Sequence, residues 1–352
     1  MATREIVRLP GLADVHVHLR VPGGEHKEDV RSGTAAALAG GFTTILAMPN
    51  THPPLVTLAG YRAAQRHVEE RALCDVHHFA GASSAHTDQL PALGREAVGL
   101  KVYMDQTYGP LRVDDLASLL ACVRAWPRDK VIAFHAEGRS LAMAIGLAAA
   151  FRRPVHICHV SGKSEIELIA RAKEQGLPVT CEVTPHHLFL TEADAARLGP
   201  LGDMRPRLGT QADVDALWAH LNTTIDCVAT DHAPHTLTEK HGADAPPGVP
   251  GLETALPLML TAVSEGRLSM PRLVALMDTN PRRIFGLPRQ PETWIEVDLG
   301  RTYTVTNERL HTKCGWSPFS GMDVVGCVRC VQLRGQVVYQ EGEILTGDPG
   351  SL

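Results

Sequence analysis

The chain has 352 residues and a mass of 38.0 kDa, enough for one large domain or two ordinary ones. Hydrophobic residues at 44% and charged residues at 21% exclude disorder, collagen-like sequence and coiled coil. A net charge of -5 with 5% aromatics argues against a chain that neutralises phosphates and stacks bases, so no nucleic-acid partner is expected.

In chain order, residues 6–10 form a short strand-like piece. Eight β-branched runs follow, at 13–19, 43–48, 75–80, 99–104, 131–135, 154–160, 178–183 and 225–230. Ala/Leu/Arg-rich segments between them predict helices over 30–39, 59–71, 114–125, 141–151, 165–175 and 212–221, with weaker patterns around 88–96 and 192–198. Several runs are apolar almost throughout, as expected of strands covered on both faces. Eight strands alternating with helices predict an α/β fold, a parallel sheet closed into a (β/α)8 TIM-type barrel. The rival is an open doubly wound sheet, but no Gly-x-Gly-x-x-Gly follows the first run, which counts against its nucleotide-binding form. Residues 233–251 make a Pro/Gly-rich loop of a length that is usually functional in compact domains. Segments 324–333 and 336–339 alternate in a β manner around an Arg334-Gly335 turn. With the N-terminal piece they are expected to form a small β layer. The division is then a barrel over 11–285 and an accessory layer from 1–10 plus 286–352.

The opening residues MATREIVRLP carry charges and no apolar stretch, unlike a signal peptide. No run approaches the roughly 18–20 apolar residues of a membrane helix. Eight Cys are too sparse for a disulfide framework, and the expected setting is reducing and cytoplasmic. Cys327 and Cys330 have Cys-x-x-Cys spacing but lie in a β run with no helix after them, and read as ordinary thiols.

The 18 His are the compositional anomaly, and the unusual polar residues gather at strand ends. His16 and His18 are two apart on the first strand and point to one side. Lys101 is in the fourth run, His135 ends the fifth and His159 is late in the sixth. Glu182 is late in the seventh, and Asp231 follows the eighth. In a (β/α)8 barrel the reactive groups stand at this rim. Each residue has a bland alternative: a hydrogen-bonded structural His, a helix-capping Asp, a solvated Lys or Glu. A shared metal site explains their common rim with one cause, since imidazole and carboxylate are suitable zinc ligands. Lys101 is the odd member, because an ammonium repels a cation. A neutral lysine amine can add CO2 to give a carbamate, whose two oxygens could each serve one of two metals about 3.5–4 Å apart. His156 has the wrong parity relative to His159 and reads as a core or bottom-face residue. His186 and His187 either support the ligands from behind or have purely structural roles, and His232 is a further candidate for support.

Several motifs together resemble the dihydroorotases of the cyclic amidohydrolase branch of the amidohydrolase superfamily. They are Asp14-Val15-His16-Val17-His18-Leu19-Arg20, Met48-Pro49-Asn50-Thr51, Gly99-Leu100-Lys101 and His156-Ile157-Cys158-His159. Glu182-Val183-Thr184-Pro185-His186-His187, Ala229-Thr230-Asp231-His232-Ala233-Pro234-His235 and Asn280-Pro281-Arg282-Arg283 complete the set. The resemblance covers nearly the whole chain, and within the family is nearest to the dihydroorotase domain of the animal multifunctional pyrimidine protein CAD. It implies zinc-dependent, reversible closure of N-carbamoyl-L-aspartate to L-dihydroorotate in de novo pyrimidine biosynthesis. His16, His18, Asp231 and a carboxylated Lys101 would hold one zinc, and His135, His159 and Lys101 the second. The metals would supply a bridging hydroxide, with Asp231 as general acid and base. Cys158 and Glu182 would line a third zinc site. Arg20, Asn50 and His235 would grip the substrate carboxylate, and Arg205 and Pro247 would complete the pocket. Residues 104–112 resemble a mobile loop, with Thr107 and Tyr108 as its working residues. The family's usual Arg-Glu-Pro-Gly stands here as Arg20-Val21-Pro22-Gly23, which leaves the ligands intact. The resemblance also implies a homodimer, fused to or associated with carbamoyl phosphate synthetase and aspartate transcarbamoylase. The near rivals are a hydantoinase, dihydropyrimidinase or allantoinase, which need no carboxylate clamp. The distant rival is a non-catalytic scaffold, which would be expected to lose ligands.

Overall fold

The computed structural model describes residues 5–345. β1 (Ile6–Pro10) precedes a barrel made of β2 (Leu12–Val17), β3 (Phe42–Ala47), β4 (Asp75–His78), β5 (Ala80–Gly81), β6 (Leu100–Tyr103), β7 (Ile132–His135), β8 (Val155–Ile157), β9 (Val179–Val183) and β10 (Cys227–Val228). Neighbouring strands pair in parallel, β2 to β4 in order and β5 to β10 in order. β4 and β5 are one strand interrupted at Phe79. Its N–H donates back to Ala47 while that of Ala80 donates forward to Gly99, both at 3.0 Å. The ring closes where the His18 N–H donates to the His232 carbonyl at 2.8 Å, beside a parallel bridge from Val17 to His232. The eight expected strands thus form a closed (β/α)8 barrel, with the third broken in two and the eighth reduced to two paired residues.

β2 and β3 are buried at every position, which is why their sequences run apolar without alternation. The outer helices follow the sequence pattern: Val30–Ala39, Leu58–Glu69, Leu116–Ala125, Arg139–Phe151, Lys163–Glu174, Glu192–Leu198 and Gln211–His220. The first begins at Asp29, whose carboxylate accepts the Ser32 N–H at 2.9 Å and satisfies a donor that the helix cannot. The expected helix around 88–96 is instead a 3-10 turn, Ser84–Gln89, and a single α-turn, Leu90–Leu93. No helix among the described residues is long and apolar enough to cross a membrane.

The terminal layer is an antiparallel sheet ordered β1-β11-β12-β13-β14, where β11 is Trp294–Thr304, β12 Asp323–Leu333, β13 Gln336–Gln340 and β14 Glu343–Ile344. β11 goes beyond the sequence reading. Glu296, Asp298 and Arg301 interrupt its apolar pattern, although it is the strand that joins the two termini. Helix Leu252–Ser264 is also additional, with Pro257 in its interior. It packs in one core cluster with Ile295, Val297, Val328 and Val331 of the sheet. The close approach depends on Gly326, at φ +84°, where a Cβ would lie 2.6 Å from Leu260 Cδ1. Gly326→Ala is expected to destabilise the protein by about 2 kcal/mol through backbone strain and overpacking. Equilibrium urea unfolding checks this, and an unchanged midpoint would contradict it.

Candidate metal centre and anion cleft

His16, His18 and Asp231 converge where β2 and the end of β10 meet. The Nε2 atoms of His16 and His18 lie 3.3 and 3.1 Å from one Asp231 oxygen. His16 Nδ1 turns the other way, 2.5 Å from Glu182 Oε1, and Cys158 joins that second group. Lys101 is fully buried and its Nζ donates to Cys158 Sγ at 2.9 Å. Among the described residues no carboxylate lies within ion-pairing distance of it. His135 Nδ1 and His159 Nε2 stand 2.9 Å apart, while the buried His159 Nδ1 has no partner. His159 and Asp231 hold left-handed backbone, φ +35° and +45°, as does Arg20 at +61°. Non-glycine residues seldom adopt this region, and such strain concentrates at functional sites.

The electrostatics suit a cation. Burial and Lys101 push His16 toward neutrality, but Asp231 and Glu182 outweigh them and raise it to about 10. Burial would raise Asp231 and Glu182, yet His16 and their other His partners hold both well below the usual carboxylate range. A proton on His16 therefore stands where two carboxylates call for positive charge, and a divalent ion can take its place. Burial lowers His18 to about 4 and His159 further, leaving both rings neutral and able to ligate. Two groups of potential ligand atoms result, His16 with His18 and Asp231, and His16 with Cys158 and Glu182.

Support for this centre refines the reading of His156. It is a core residue, fully buried, as one of the two expected alternatives has it, but it is not idle, since its Nε2 lies 3.0 Å from Glu182 Oε2 and its Nδ1 2.9 Å from Thr180 Oγ1. β8 ends at Ile157 and His159 leaves the extended region, so strand parity does not carry from one to the other. Asp14, in the first motif, supports the site from below without entering it. It accepts the N–H groups of His16 and Thr230, each at 3.1 Å, tying both ligand segments together, and burial raises it to about 7. The His232 ring bridges the buried Glu28, at 3.3 Å, and the Gly251 N–H, at 3.2 Å. His187 lies 3.2 Å from the Pro206 carbonyl, and His186 Nε2 is buried without a partner.

Beside these potential ligand groups lies a cationic cleft. One cavity brings His18 and Asp231 together with Arg20, Asn50, Arg205 and Pro247 and with Thr107 and Tyr108 of the loop. Arg20 Nε donates to the Pro234 carbonyl at 3.0 Å, and its Nη2 lies 2.9 Å from His235 Nε2. Arg205 is tied to Asp203 and to the Met204 carbonyl. Both ends of the Asn50 amide are engaged: Oδ1 with His18 Nδ1 at 2.8 Å, and Nδ2 donating to the Tyr108 carbonyl at 2.9 Å. Burial, then Arg20 and Lys27, hold His235 far below the ordinary imidazole value. The cleft thus presents neutral His235 and buried guanidinium and ammonium groups, a setting for an anion. Lys27 and Glu28 were missed from sequence, where charges in a turn look solvated. A roomier cavity, about 580 Å³, lies between helix Leu252–Ser264 and the terminal sheet, but it borders none of these ligand groups.

A family model described as "Dihydro-orotase-like" matches residues 5–89. The "Multifunctional protein CAD" of Squalus acanthias is 49% identical over 98% of this chain, which spans only 15% of that protein. The "Dihydroorotase" of Pyrococcus furiosus is 34% identical over 96% of the chain and 83% of its own length. Among solved structures, the "Inactive dihydroorotase-like domain of Chaetomium thermophilum CAD-like multifunctional protein" superposes with a TM-score of 0.84. The two are 29% identical, with 98% of each chain covered.

Proposed function

The chain belongs to the dihydroorotase family, and from that membership we propose that it interconverts N-carbamoyl-L-aspartate and L-dihydroorotate in de novo pyrimidine biosynthesis. One observation carries the reading beyond family: Arg20, whose guanidinium adjoins His235, lines the same cavity as His18 and Asp231. A substrate with a carboxylate at one end and a reacting amide at the other fits that arrangement.

The donor set and the unpartnered His159 Nδ1 fit zinc. His16, His18 and Asp231 would hold one ion and His135 and His159 a second, with carboxylated Lys101 shared. His16, Cys158 and Glu182 would hold a third. Zinc there supplies a Lewis acid and lowers the pKa of bound water. The remaining work belongs to the chain. CO2 adds to the neutral Lys101 amine with release of one proton, turning a repelling cation into a chelating anion. Arg20 offers paired N–H groups to the substrate carboxylate, which Lys would not match. Asp231 takes the proton of the attacking water and delivers it to the ring nitrogen as the C–N bond breaks; ring closure reverses these steps. Thr107 and Tyr108 cover the cleft and exclude water. A barrel over 11–285 with an accessory layer from 1–10 plus 286–352, a homodimer, a cytoplasmic setting and association with carbamoyl phosphate synthetase and aspartate transcarbamoylase belong to the same proposal.

The likeness to an inactive domain favours a second reading, a structural module without turnover. Retention of His16, His18, Lys101, His135, His159 and Asp231 weighs against it. Incubating the purified protein separately with dihydroorotate, dihydrouracil and allantoin tests both readings. Turnover of dihydroorotate alone is expected. Turnover of dihydrouracil without dihydroorotate would make the protein a different cyclic amidase. No turnover together with no bound zinc would leave the structural module.

A further inference from the structure

Lys27 is 5% exposed, in the segment between β2 and helix Val30–Ala39. Its ammonium reaches Tyr108 Oη at 2.8 Å, Glu239 Oε1 at 2.9 Å and His235 Nδ1 at 3.1 Å. An ammonium has three N–H donors and no acceptor, so all three are used. It follows that His235 Nδ1 is the accepting nitrogen and the ring proton sits on Nε2, which donates to the Pro247 carbonyl at 3.1 Å. Arg20 Nη2, 2.9 Å from that same Nε2, then faces another donor. An anionic oxygen that accepts from both relieves this opposition, the single His235 N–H exchanging the Pro247 carbonyl for the stronger, charged acceptor.

The third contact ties in the loop. Tyr108 stands edge-on to His235, with ring centroids 4.9 Å apart, and beneath the cations of Lys27 and Arg20, 4.6 and 5.2 Å from its centroid. Apart from the Asn50 bond to its carbonyl, the hydroxyl bond to Lys27 is its polar tether to the barrel. We propose that Lys27 is a positioning residue that fixes the His235 tautomer as a donor toward the substrate carboxylate and latches loop 104–112 over the cleft through Tyr108. This deepens the proposed function, on which it rests for the identity of the anion. The loop contact stands without it.

Two variants separate the parts. Lys27→Met keeps the length of the side chain and removes the donors. Tyr108→Phe removes only the latch. Chymotryptic cleavage after Tyr108, followed by mass spectrometry in the metal-bound protein, reads the loop directly. Both variants are expected to speed cleavage about tenfold, and the double variant no further, because each breaks the same Lys27–Tyr108 hydrogen bond that holds the loop. Lys27→Met should raise KM for dihydroorotate about 10- to 100-fold with a smaller fall in kcat, since it also frees His235; Lys27→Arg should recover part of the KM loss. Tyr108→Phe should raise KM less. Unchanged cleavage in either variant, or additive effects in the double variant, would overturn the latch. An unchanged KM in Lys27→Met would overturn the tautomer role. A wild type that does not act on dihydroorotate would sink the functional reading while the cleavage result still decides the latch.

Discussion

Asp231→Asn is expected to lower dihydroorotate turnover by about 10³-fold in both directions, with the fold intact. The carboxylate sits 3.3 and 3.1 Å from the Nε2 atoms of His16 and His18, at the mouth of the anion cleft. It is the one carboxylate that both rings approach through Nε2 and the group proposed to carry the proton between water and the ring nitrogen. Asn matches its shape and, like Asp, tolerates the left-handed backbone, φ +45° here, so the substitution should not move the loop. Ala would add backbone strain and blur the result. What Asn lacks is the charge and the basic oxygen. The measurement is kcat for hydrolysis and for cyclisation, alongside zinc content by atomic emission and the thermal midpoint. A variant that binds zinc, melts normally and retains more than about a tenth of the rate would remove Asp231 from the proton path.

The sequence makes the barrel and most of its rim readable for a physical reason. Strands buried on both faces must be apolar, so His16, Lys101, His135 and Glu182 stand out against their own strands, and His18 just beyond the first. Asp231 stands out just beyond a strand, where the alternation of elements already marks the rim. The same reasoning fails where the backbone leaves regular geometry. His156 is buried in the core as expected, but its support of Glu182 is hidden, because parity does not extend through residues 158 and 159 once β8 has ended. Lys27 and Glu28 lie in a turn segment, where nothing in local pattern separates a buried charge from a solvated one. Their burial depends on partners more than 200 residues away, as with Lys27 and Glu239. β11 was hidden for a related reason: Glu296, Asp298 and Arg301 break its apolar run, although Asp298 is buried, and its partners, β1 and β12, come from distant segments.

Lys101 gives the second large effect, and its sign differs between the metal-free and metal-bound protein. The side chain is fully buried, donates to Cys158 Sγ and stacks its Nζ 5.1 Å from the Tyr103 ring, with no carboxylate partner among the described residues. A buried ammonium without a counter-ion is unfavourable, so such a lysine is costly to the metal-free fold. Conversion to a carbamate removes the positive charge and adds two ligand oxygens, which makes the same side chain favourable once metal is bound. Lys101→Met keeps the volume and removes the nitrogen. The metal-free variant is therefore expected to be as stable as the metal-free wild type, or more stable by about 1–2 kcal/mol. Zinc should raise its melting temperature far less than it raises that of the wild type, since fewer ligands bind. Turnover should fall by about 10³-fold or more. Carbon-13 bicarbonate offers an independent readout, a carbamate resonance in the wild type that Lys101→Met lacks. Full zinc content and activity in Lys101→Met would refute the shared-ligand role. A metal-free variant destabilised by several kcal/mol would instead mean that the ammonium itself, and not its carboxylated form, holds this part of the barrel together.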